Sequence, residues 1–413
     1  MTRDILQQAY EALRYNRRRA TLTMLGMAWG IATVVLLLAY GNGFGVAIHN
    51  IFAQYGIKAV WVWPFRTTMQ AGGSKAGAPV RLTEEDVEKL RQNVPSLEAV
   101  TPEVGKDANV SYEGHSFTWW VRGDYPALQQ ILILEIDQGR FYNAEDLIGK
   151  ARVAVIGSEA KEKLFSGRNA IGESIRIDGV SFQVIGVMKP KMQEGDNDIN
   201  RVVDVPFTTM KDLKDTKYLN GIWLSYETDD WEQIDRTVRN TLAGIHNFNP
   251  ADKRAVFVNI TEKQLDQFNI ITLGLKILLA FIGTLTLGIG GVGLMNIMLV
   301  SVSQRTREIG IEKALGATRS NILLQFLAEA LALTAIGGIL GILMAYAVSF
   351  SVGTLTLYSA LAKHGEGGDI RLMISLSSVV IATVILALVG LVSGMLPAIR
   401  ASRLDPIEAL RYE

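Results

Sequence analysis

The chain has 413 residues, 49% of them hydrophobic, a formal net charge of zero and no cysteine. The lack of cysteine excludes disulfide bonds, so a domain outside the cytoplasm must be stabilised by its own core. The basic residues form no concentrated patch outside the flanks of the apolar segments. This distribution argues against nucleic-acid binding.

Four charge-free segments are long enough to cross a membrane, since a bilayer core takes about 20 apolar residues as a helix. They are residues 20–57, 277–304, 330–362 and 372–399. The sequence therefore predicts four transmembrane helices after a cytoplasmic amphipathic helix at 1–19. These spans are 20–44, 276–300, 321–350 and 374–397.

Basic residues in the short connections predict the orientation of these spans. They cluster in 1–19, in the hairpin 301–320 and in the tail 398–413, whereas the loop 351–373 has only Lys363 and Arg371. The rule that cytoplasmic loops are positively charged places both termini and the hairpin in the cytoplasm. Residues 45–275 and the loop then lie outside.

The outer segment, 45–275, alternates strand and helix patterns. AVWVWPF (59–65) reads as a strand, residues 82–94 as a helix with Thr83 as N-cap, and EAVTPEV (98–104) as a strand. The same order recurs at 221–228, 231–245 and 254–260. We therefore predict an α+β membrane protein whose extracytoplasmic α/β domain is a split β-α-β unit, about 57–110 and 219–265, with an inserted β-rich lobe at about 111–218.

Within the insertion, RVAVIG (152–157) predicts a buried strand and SEAKEKLF (158–165) a helix capped by Ser158. Residues 173–188 predict a hairpin that turns at Asp178-Gly179. The segment 67–79 reads as a flexible loop, because it is rich in glycine and small polar residues.

GIGGVG (288–293) matches the dinucleotide-binding pattern by letter only, because its glycines lie in the middle of an apolar helix rather than after a strand. Small residues at such spacing more often let helices pack closely or dimerise. The glycines assigned to this role are Gly26, Gly30, Gly288, Gly337, Gly341, Gly390 and Gly394.

No catalytic, cofactor or metal site is predicted in the chain. Its histidines, His49, His115, His246 and His364, have no ligand spacing, and no P-loop motif occurs. Glu329 is an intramembrane carboxylate, which suggests either a transport or proton role or a structural one, in which it reaches the membrane interface or pairs with a neighbouring helix. The aromatic residues Trp61, Trp63, Trp119 and Trp120 suggest either a ligand surface or ordinary core.

The hairpin 301–320 predicts a short amphipathic helix over Gln304–Leu315, too short to cross a bilayer. Ile311, Ala314 and Leu315 fall on one face beside a stripe of mixed charge, which favours a protein groove over anionic lipid. Gly316 ends the helix, and Thr318 or Ser320 caps the third span. In the tail, Pro397 is expected to end the last span and Asp405 to cap a docked helix.

Three stretches resemble a known family: RRRATLTMLGMAWGIATVV (17–35), GIGGVGLMNIMLVSVSQRTREIGIEKALGATRSNILLQFLAEA (288–330) and LPAIRASRLDPIEALRYE (396–413). They look like the MacB/FtsX-like permeases of ABC transporters, most closely the macrolide-exporter branch. The outer segments ARVAVIGSEAKEKLF and AIGESIRIDGVSFQVIGVM are similar to that branch's extracytoplasmic domain.

The resemblance implies a permease of the bacterial inner membrane that works as a pair, each copy with a cytoplasmic ATPase that holds ATP and Mg²⁺. It implies that the hairpin is the coupling helix that docks on the ATPase. The residues it assigns to coupling are Arg305, Arg307, Glu308, Ile309, Glu312, Lys313 and Leu315. The outer domain would have a membrane-proximal unit and a distal lobe, meet a periplasmic adaptor of the membrane-fusion type, and be moved through the helices for export.

Only about 19 residues precede the first span, so the ATPase is expected as a separate polypeptide. Three other functions stay open. The same machine can serve lipoprotein release or the control of cell-wall hydrolases. A membrane-anchored sensor is disfavoured because no cytoplasmic output domain is evident, and a membrane enzyme lacks a catalytic constellation.

Overall fold

The computed structural model describes residues 17–71, 75–94, 96–192, 199–355 and 368–411. Within them the chain divides into a helical unit, formed by 17–46, 270–355 and 370–411, and an α/β unit formed by 47–269. The amphipathic helix predicted at 1–19 lies outside the described residues up to residue 16. The same holds for most of the loop predicted at 351–373, including Lys363 and His364.

The elements of the described residues are numbered in chain order. The helices are α1 Arg17–Ala53, α2 Glu84–Asn93, α3 Leu128–Ile131, α4 Ala144–Ile148, α5 Ser158–Phe165, α6 Phe207–Met210, α7 Trp231–His246, α8 Thr261–Gln304, α9 Thr306–Ala314, α10 Arg319–Val352, α11 Leu376–Ser402 and α12 Pro406–Arg411. The strands are β1 Ala59–Pro64, β2 Leu97–Tyr112, β3 His115–Asp124, β4 Ile136–Gly139, β5 Val153–Ile156, β6 Ser174–Ile177, β7 Val180–Met188, β8 Val203–Pro206, β9 Gly221–Tyr226, β10 Val256–Ile260, β11 Thr354–Leu355 and β12 Ile370–Arg371.

Four helices, α1, α8, α10 and α11, are long and apolar enough to cross a membrane. With 44 residues, α8 is about 66 Å long, roughly twice the thickness of a bilayer core. The helix therefore continues well beyond the span predicted within it. Where the lipid boundaries fall along each helix stays a prediction.

Five of the predicted glycines lie where helices of this unit meet. A Cβ on Gly30 would lie 2.8 Å from Leu287 of α8, and one on Gly337 would lie 2.9 Å from Met27 of α1. Gly341 lies against Ala28 in the same way, whereas Gly390 and Gly394 of α11 lie against Thr334 and Ala330 of α10. On Gly26 and Gly288 such an atom would meet nothing within 4 Å among the described residues of other segments. The small residues thus let α1, α8, α10 and α11 pack closely within one copy.

Pro397 does not end the helix of the last span, and the end of the span itself stays a prediction. Pro397 lies inside α11, which continues to Ser402. A proline lacks one N–H donor, but the turns on either side keep their backbone hydrogen bonds. Its buried side, together with Ala398 and Ala401, packs into the core of the helical unit.

In the α/β unit, ten of the described strands form one sheet. The order is β10-β1-β9-β2-β3-β8-β5-β7-β4, and β6 pairs with β2 and β7. Val60 and Val62 of β1 and Leu224 of β9 lie on one face, in a core shared with Leu90 of α2 and Val238 of α7. This arrangement is the predicted split unit, because β1-α2-β2 and β9-α7-β10 interleave in the sheet and place both helices on that face.

The inserted lobe continues the same sheet through β3, β8, β5, β7 and β4. Its predicted hairpin is confirmed: β6 and β7 turn at Asp178-Gly179, and both residues have positive φ angles, 45° and 86°. The boundary predicted near residue 111 stays a prediction, since β2 runs from Leu97 to Tyr112 without interruption.

Two local predictions need correction. Ser158 is the first residue of α5 rather than its N-cap, which is Gly157 in an extended conformation. The described part of the 67–79 loop is tied down: the Asp252 carboxylate accepts hydrogen bonds from the Thr68 and Met69 backbone N–H groups and from the Thr68 hydroxyl. The sequence gives no sign of this anchor, because Asp252 lies about 180 residues away.

Candidate coupling site

The hairpin folds as a separate short helix between two long ones. Predicted over Gln304–Leu315, it is a helix over Thr306–Ala314. After it, Gly316 adopts a φ of 103°, which strongly favours glycine. The Thr318 hydroxyl then accepts a hydrogen bond from the Asn321 N–H at 3.3 Å, which caps α10 as predicted.

The sequence analysis did not predict which face of α9 packs against the chain, and that face includes Ile309, which the resemblance assigned to coupling. Thr306, Ile309 and Gly310 point inward, and Ile309 is only 2% exposed among residues of α8, α10 and α11. Leu315, by contrast, is 84% exposed, and Ile311 is 45% exposed. The apolar ridge of Ile311 and Leu315 therefore points away from the chain's own core.

The outward stripe of α9 consists of Arg307, Glu308, Ile311 and Leu315, all exposed. At 100° per residue these positions lie within about 100° of one another on the helix surface. Glu312, which is half-buried, lies at the edge of this stripe. Mixed charge around an apolar ridge suits a protein partner better than an anionic lipid surface.

The side chain of Lys313 forms hydrogen bonds with the backbone of the same chain. Its Nζ donates to the carbonyl oxygens of Ser402 and Leu404, both at 2.6 Å. Burial lowers the pKa of Lys313, helped by repulsion from Arg319 and opposed by attraction to Asp405. This lysine therefore holds α9 against the end of α11.

The tail also packs against the hairpin. Asp405 accepts a hydrogen bond from the Ile407 N–H at 2.8 Å, and the following helix, α12, contacts α9. Ala409 is buried, whereas Ile407 is exposed. The tail was predicted to be docked, and the structure identifies the hairpin helix as the element it packs against.

Arg305 and Glu329 form an ion pair, with Arg305 Nη1 donating to Glu329 Oε2 at 3.3 Å. Arg305 lies between α8 and α9, and Glu329 lies about three turns into α10. Of the two interpretations of Glu329, the geometry favours the ion pair with a neighbouring segment. The pair connects the hairpin to α10.

The seven predicted coupling residues thus fall into two groups. Arg305, Ile309 and Lys313 bind α9 to the long helices, whereas Arg307, Glu308 and Leu315 are exposed on its outer face and Glu312 borders them. The spacing of these residues along the sequence does not separate the two groups, because the partners of the inward residues lie on different long helices. The sequence analysis missed the carbonyl acceptors at Ser402 and Leu404, since main-chain atoms leave no residue-type signal.

Four long apolar helices, a short charged hairpin and a large α/β domain between the first two helices define a multi-pass membrane protein. Residues 20–241, more than half of the chain, match the family model of the MacB-like periplasmic core domain, and residues 280–406 match that of the FtsX-like permease C-terminal region. The chain belongs to the MacB/FtsX-like permease family.

Relatives that match almost the whole chain include two proteins named for export. The macrolide export ATP-binding/permease protein MacB of Bdellovibrio bacteriovorus is 32% identical over 411 residues, which cover 99% of this chain and 61% of that protein. The pyoverdine export ATP-binding/permease protein PvdT of Pseudomonas putida is 33% identical over 418 residues, 99% of this chain and 60% of that protein. The chain thus spans about three fifths of the length of these relatives.

Among solved structures, the periplasmic region of MacB from Actinobacillus actinomycetemcomitans aligns with 54% of this chain and 97% of that one. The TM-score is 0.44 and the sequence identity is 17%.

Proposed function

We propose that this chain is the permease of an ABC export complex and that a cytoplasmic ATPase binds the outward stripe of α9. Two observations support the proposal: the relatives are named export ATP-binding/permease proteins, and the stripe presents an apolar ridge with charges of both signs. In this complex the ATPase holds ATP and Mg²⁺. The chain lies in a bacterial inner membrane with both termini in the cytoplasm.

The single observation that carries the proposal is the division of α9 into two faces. Its inward face is fixed to α10 by the Arg305–Glu329 pair and to α11 by Lys313, while Leu315 on the other face remains 84% exposed. A helix held in this way passes a displacement on to the long helices rather than absorbing it. An exposed leucine beside charges of both signs provides a surface to which the ATPase can bind, so that its movement displaces α9.

The displacement is proposed to reach the outer domain through continuous helix. β10 ends at Ile260 and α8 begins at Thr261, so no flexible loop separates the strand from the long helix. Motion of the outer domain then drives substrate export together with a periplasmic adaptor of the membrane-fusion type, without passage of the substrate across the bilayer.

The test compares stripe variants with a control in ATP turnover. The complex is purified from native membranes, where a separate ATPase polypeptide is expected to copurify, and its turnover is measured in nanodiscs. We expect Leu315→Asp and the double variant Glu308→Lys/Glu312→Lys to lose at least tenfold of the permease-dependent turnover, because they remove the ridge or reverse its charges. Both should insert into the membrane normally.

The control is Glu145→Lys, which reverses an exposed charge at the start of α4 in the outer domain. This variant should keep normal turnover. Full turnover by both stripe variants, with the ATPase still bound, would contradict the docking assignment. Recovery of the permease without any ATPase would contradict the complex itself.

A second copy of the chain is proposed to pair through the helix faces that carry Gly26 and Gly288. A Cβ on either glycine would meet no other described residue within 4 Å outside its own helix backbone, and small residues let membrane helices approach closely. Because the chain has no cysteine, single substitutions report this contact cleanly. Oxidation should crosslink Gly288→Cys into dimers but not Leu388→Cys, on an exposed position of α11.

A further inference from the structure

Four tryptophans of the α/β unit lie on one face of the sheet and line one cavity. Trp61 and Trp63 of β1, Trp223 of β9 and Trp120 of β3 border a space of about 600 Å³. Strand alternation places them opposite the core that contains Val60, Val62 and Leu224. Trp119 points the other way, into that core, where it stacks on Phe117. The aromatic pattern in the sequence thus contained both a cavity wall and ordinary core.

The rings are held at defined angles. Trp61 and Trp223 are directly paired across β1 and β9, with ring centres 4.3 Å apart and an interplanar angle of 88°. Two glycines leave room for the rings: a Cβ on Gly105 would lie 2.6 Å from Trp120 Cε2, and one on Gly221 would lie 3.2 Å from Trp61 Nε1. The wall is therefore pre-formed by the sheet.

A buried carboxylate lies among these rings. Glu103 is 1% exposed and lines the cavity, and its Oε2 accepts a hydrogen bond from Trp223 Nε1 at 2.6 Å. Its Oε1 has no hydrogen-bond partner among the described residues. Burying a carboxylate oxygen without a hydrogen-bond partner costs free energy. A ligand that brings a hydrogen-bond donor or a positive charge would therefore be stabilised at this site.

The charges around Glu103 leave an excess of acid. Asp124 is its direct partner on β3, and Arg122 donates to both carboxylate oxygens of Asp204, at 2.5 and 3.2 Å. Arg122 also lies 3.7 Å from Asp124. Three carboxylates thus face one guanidinium that is already bound in a two-point contact.

The other nearby cation is also engaged. Lys191, whose Nζ lies 5.8 Å from the ring centre of the cavity-lining Tyr55, donates to the carbonyl oxygens of Gln54 and Leu132. Burial lowers its pKa to about 8. Both described cations, Arg122 and Lys191, are already hydrogen-bonded, so neither is available to an anionic ligand. A cationic ligand, by contrast, would contact an unpaired carboxylate oxygen and aromatic faces.

We propose that this cavity binds an organic cation, an ammonium group on an apolar body, with Glu103 as its counter-ion and the tryptophans as its walls. Aromatic faces around a carboxylate are a general means of binding ammonium groups. A volume of about 600 Å³ lies within the usual range for small-molecule sites. The proposal is independent of ATPase docking, because every residue it uses lies in the α/β unit.

Binding should depend on pH. Burial raises the pKa of Glu103 to about 7, while Arg122 and the Trp223 hydrogen bond oppose the rise and Asp204 adds to it. The carboxyl must lose its proton to act as a counter-ion. Affinity for a permanent cation is therefore expected to be about tenfold higher at pH 8 than at pH 6. Lys191 loses charge in the same direction, which adds to the effect.

The test titrates the full chain, in detergent micelles, with benzyltrimethylammonium and with benzylsulfonate, which share a benzyl body and differ in the sign of the charge. We expect saturable binding of the ammonium compound by calorimetry and by tryptophan fluorescence, and none of the sulfonate. Glu103→Gln should weaken binding at least tenfold and remove most of its pH dependence. Trp120→Leu, which keeps the carboxylate, should weaken it about threefold to tenfold.

The matched controls are Glu145→Gln, on the exposed start of α4, and Trp231→Leu, outside this cavity, and both should bind as the wild type does. Each variant is first checked for cooperative unfolding at a temperature no lower than that of the wild type, and if Glu103→Gln does not fold, Trp120→Leu decides. Equal binding of the sulfonate, unchanged affinity in the folded cavity variants, or no saturable binding of the ammonium compound would overturn the proposal.

Discussion

Lys313 reaches across from α9 to the end of α11, where its Nζ donates to the Ser402 carbonyl oxygen at 2.6 Å. The last carbonyl groups of a helix have no partner within the helix, and a cation there is favoured by the helix dipole. Lys313 therefore joins α9 to the end of α11, although nothing in the sequence indicates this contact. The hairpin, the last long helix and the tail meet at this point.

Replacing Lys313 should weaken the attachment of the C-terminal tail to the rest of the chain. We expect Lys313→Met, which keeps the apolar stem, to cost about 1–3 kcal/mol of local stability, because it removes hydrogen bonds made by a charged group. The measurement is the rate at which carboxypeptidase digests the C-terminal tail in detergent. Lys211→Met, at an exposed position after α6, serves as the control. Equal digestion rates in the wild type and Lys313→Met would show that the tail is held by other contacts.

The Arg305–Glu329 pair predicts a charge-swap rescue. Arg305→Glu or Glu329→Arg alone should lower the unfolding temperature and the permease-dependent ATP turnover, because each places like charges side by side. The double variant should recover most of both, with a coupling energy on the order of 1–3 kcal/mol. If Glu329 instead takes part directly in transport, the double variant would regain stability but no activity.

The helix glycines predict opposite effects for one substitution. In Gly394→Ala the new Cβ would lie 2.6 Å from the Cβ of Ala330, so α10 and α11 must move apart at a cost of about 1–3 kcal/mol. In Gly293→Ala the new Cβ meets nothing within 4 Å and should be neutral or stabilising through helix propensity. Unfolding temperatures in one detergent provide the comparison. A loss in both variants would point to a cause other than packing.

Glu103 predicts how the stability of the α/β unit changes with pH. Its pKa rises from an ordinary 4.5 to about 7 on folding, mainly because of burial, so the folded state holds the proton more tightly than the unfolded one. Its contribution is therefore most favourable below about pH 4.5 and is lost as the pH rises through about 7.

The Glu103→Gln variant should remove the part of this dependence that Glu103 contributes. Its gain in unfolding temperature over the wild type is expected to be larger at pH 8 than at pH 5, because only at pH 8 does the wild type bury a charged carboxylate. Glu145→Gln, at an exposed site, should show no such difference. A gain that is the same at both pH values would mean that Glu103 does not titrate in this range.

Patterns that repeat over a few residues determined a large part of this protein in advance. Charge-free runs located the four long helices, Thr83 located the start of α2, and Asp178-Gly179 located a hairpin turn. Each of these signals acts within one or two turns of chain, so the sequence carries it completely. The resemblance in the hairpin and tail was likewise confirmed by the family matches.

Only the tertiary structure decided which side of each element faces inward. Ile309 is buried whereas Leu315 is exposed, and Gly341 lies at a helix contact whereas Gly288 does not. Trp119 lies in the core, whereas its neighbour Trp120 lines a cavity. Glu103 meets Trp223 across 120 residues of sequence. Such contacts depend on strand register and helix packing between distant segments, which no local periodicity encodes. The two faces of α9 and the charged aromatic cavity both arise from that long-range pairing.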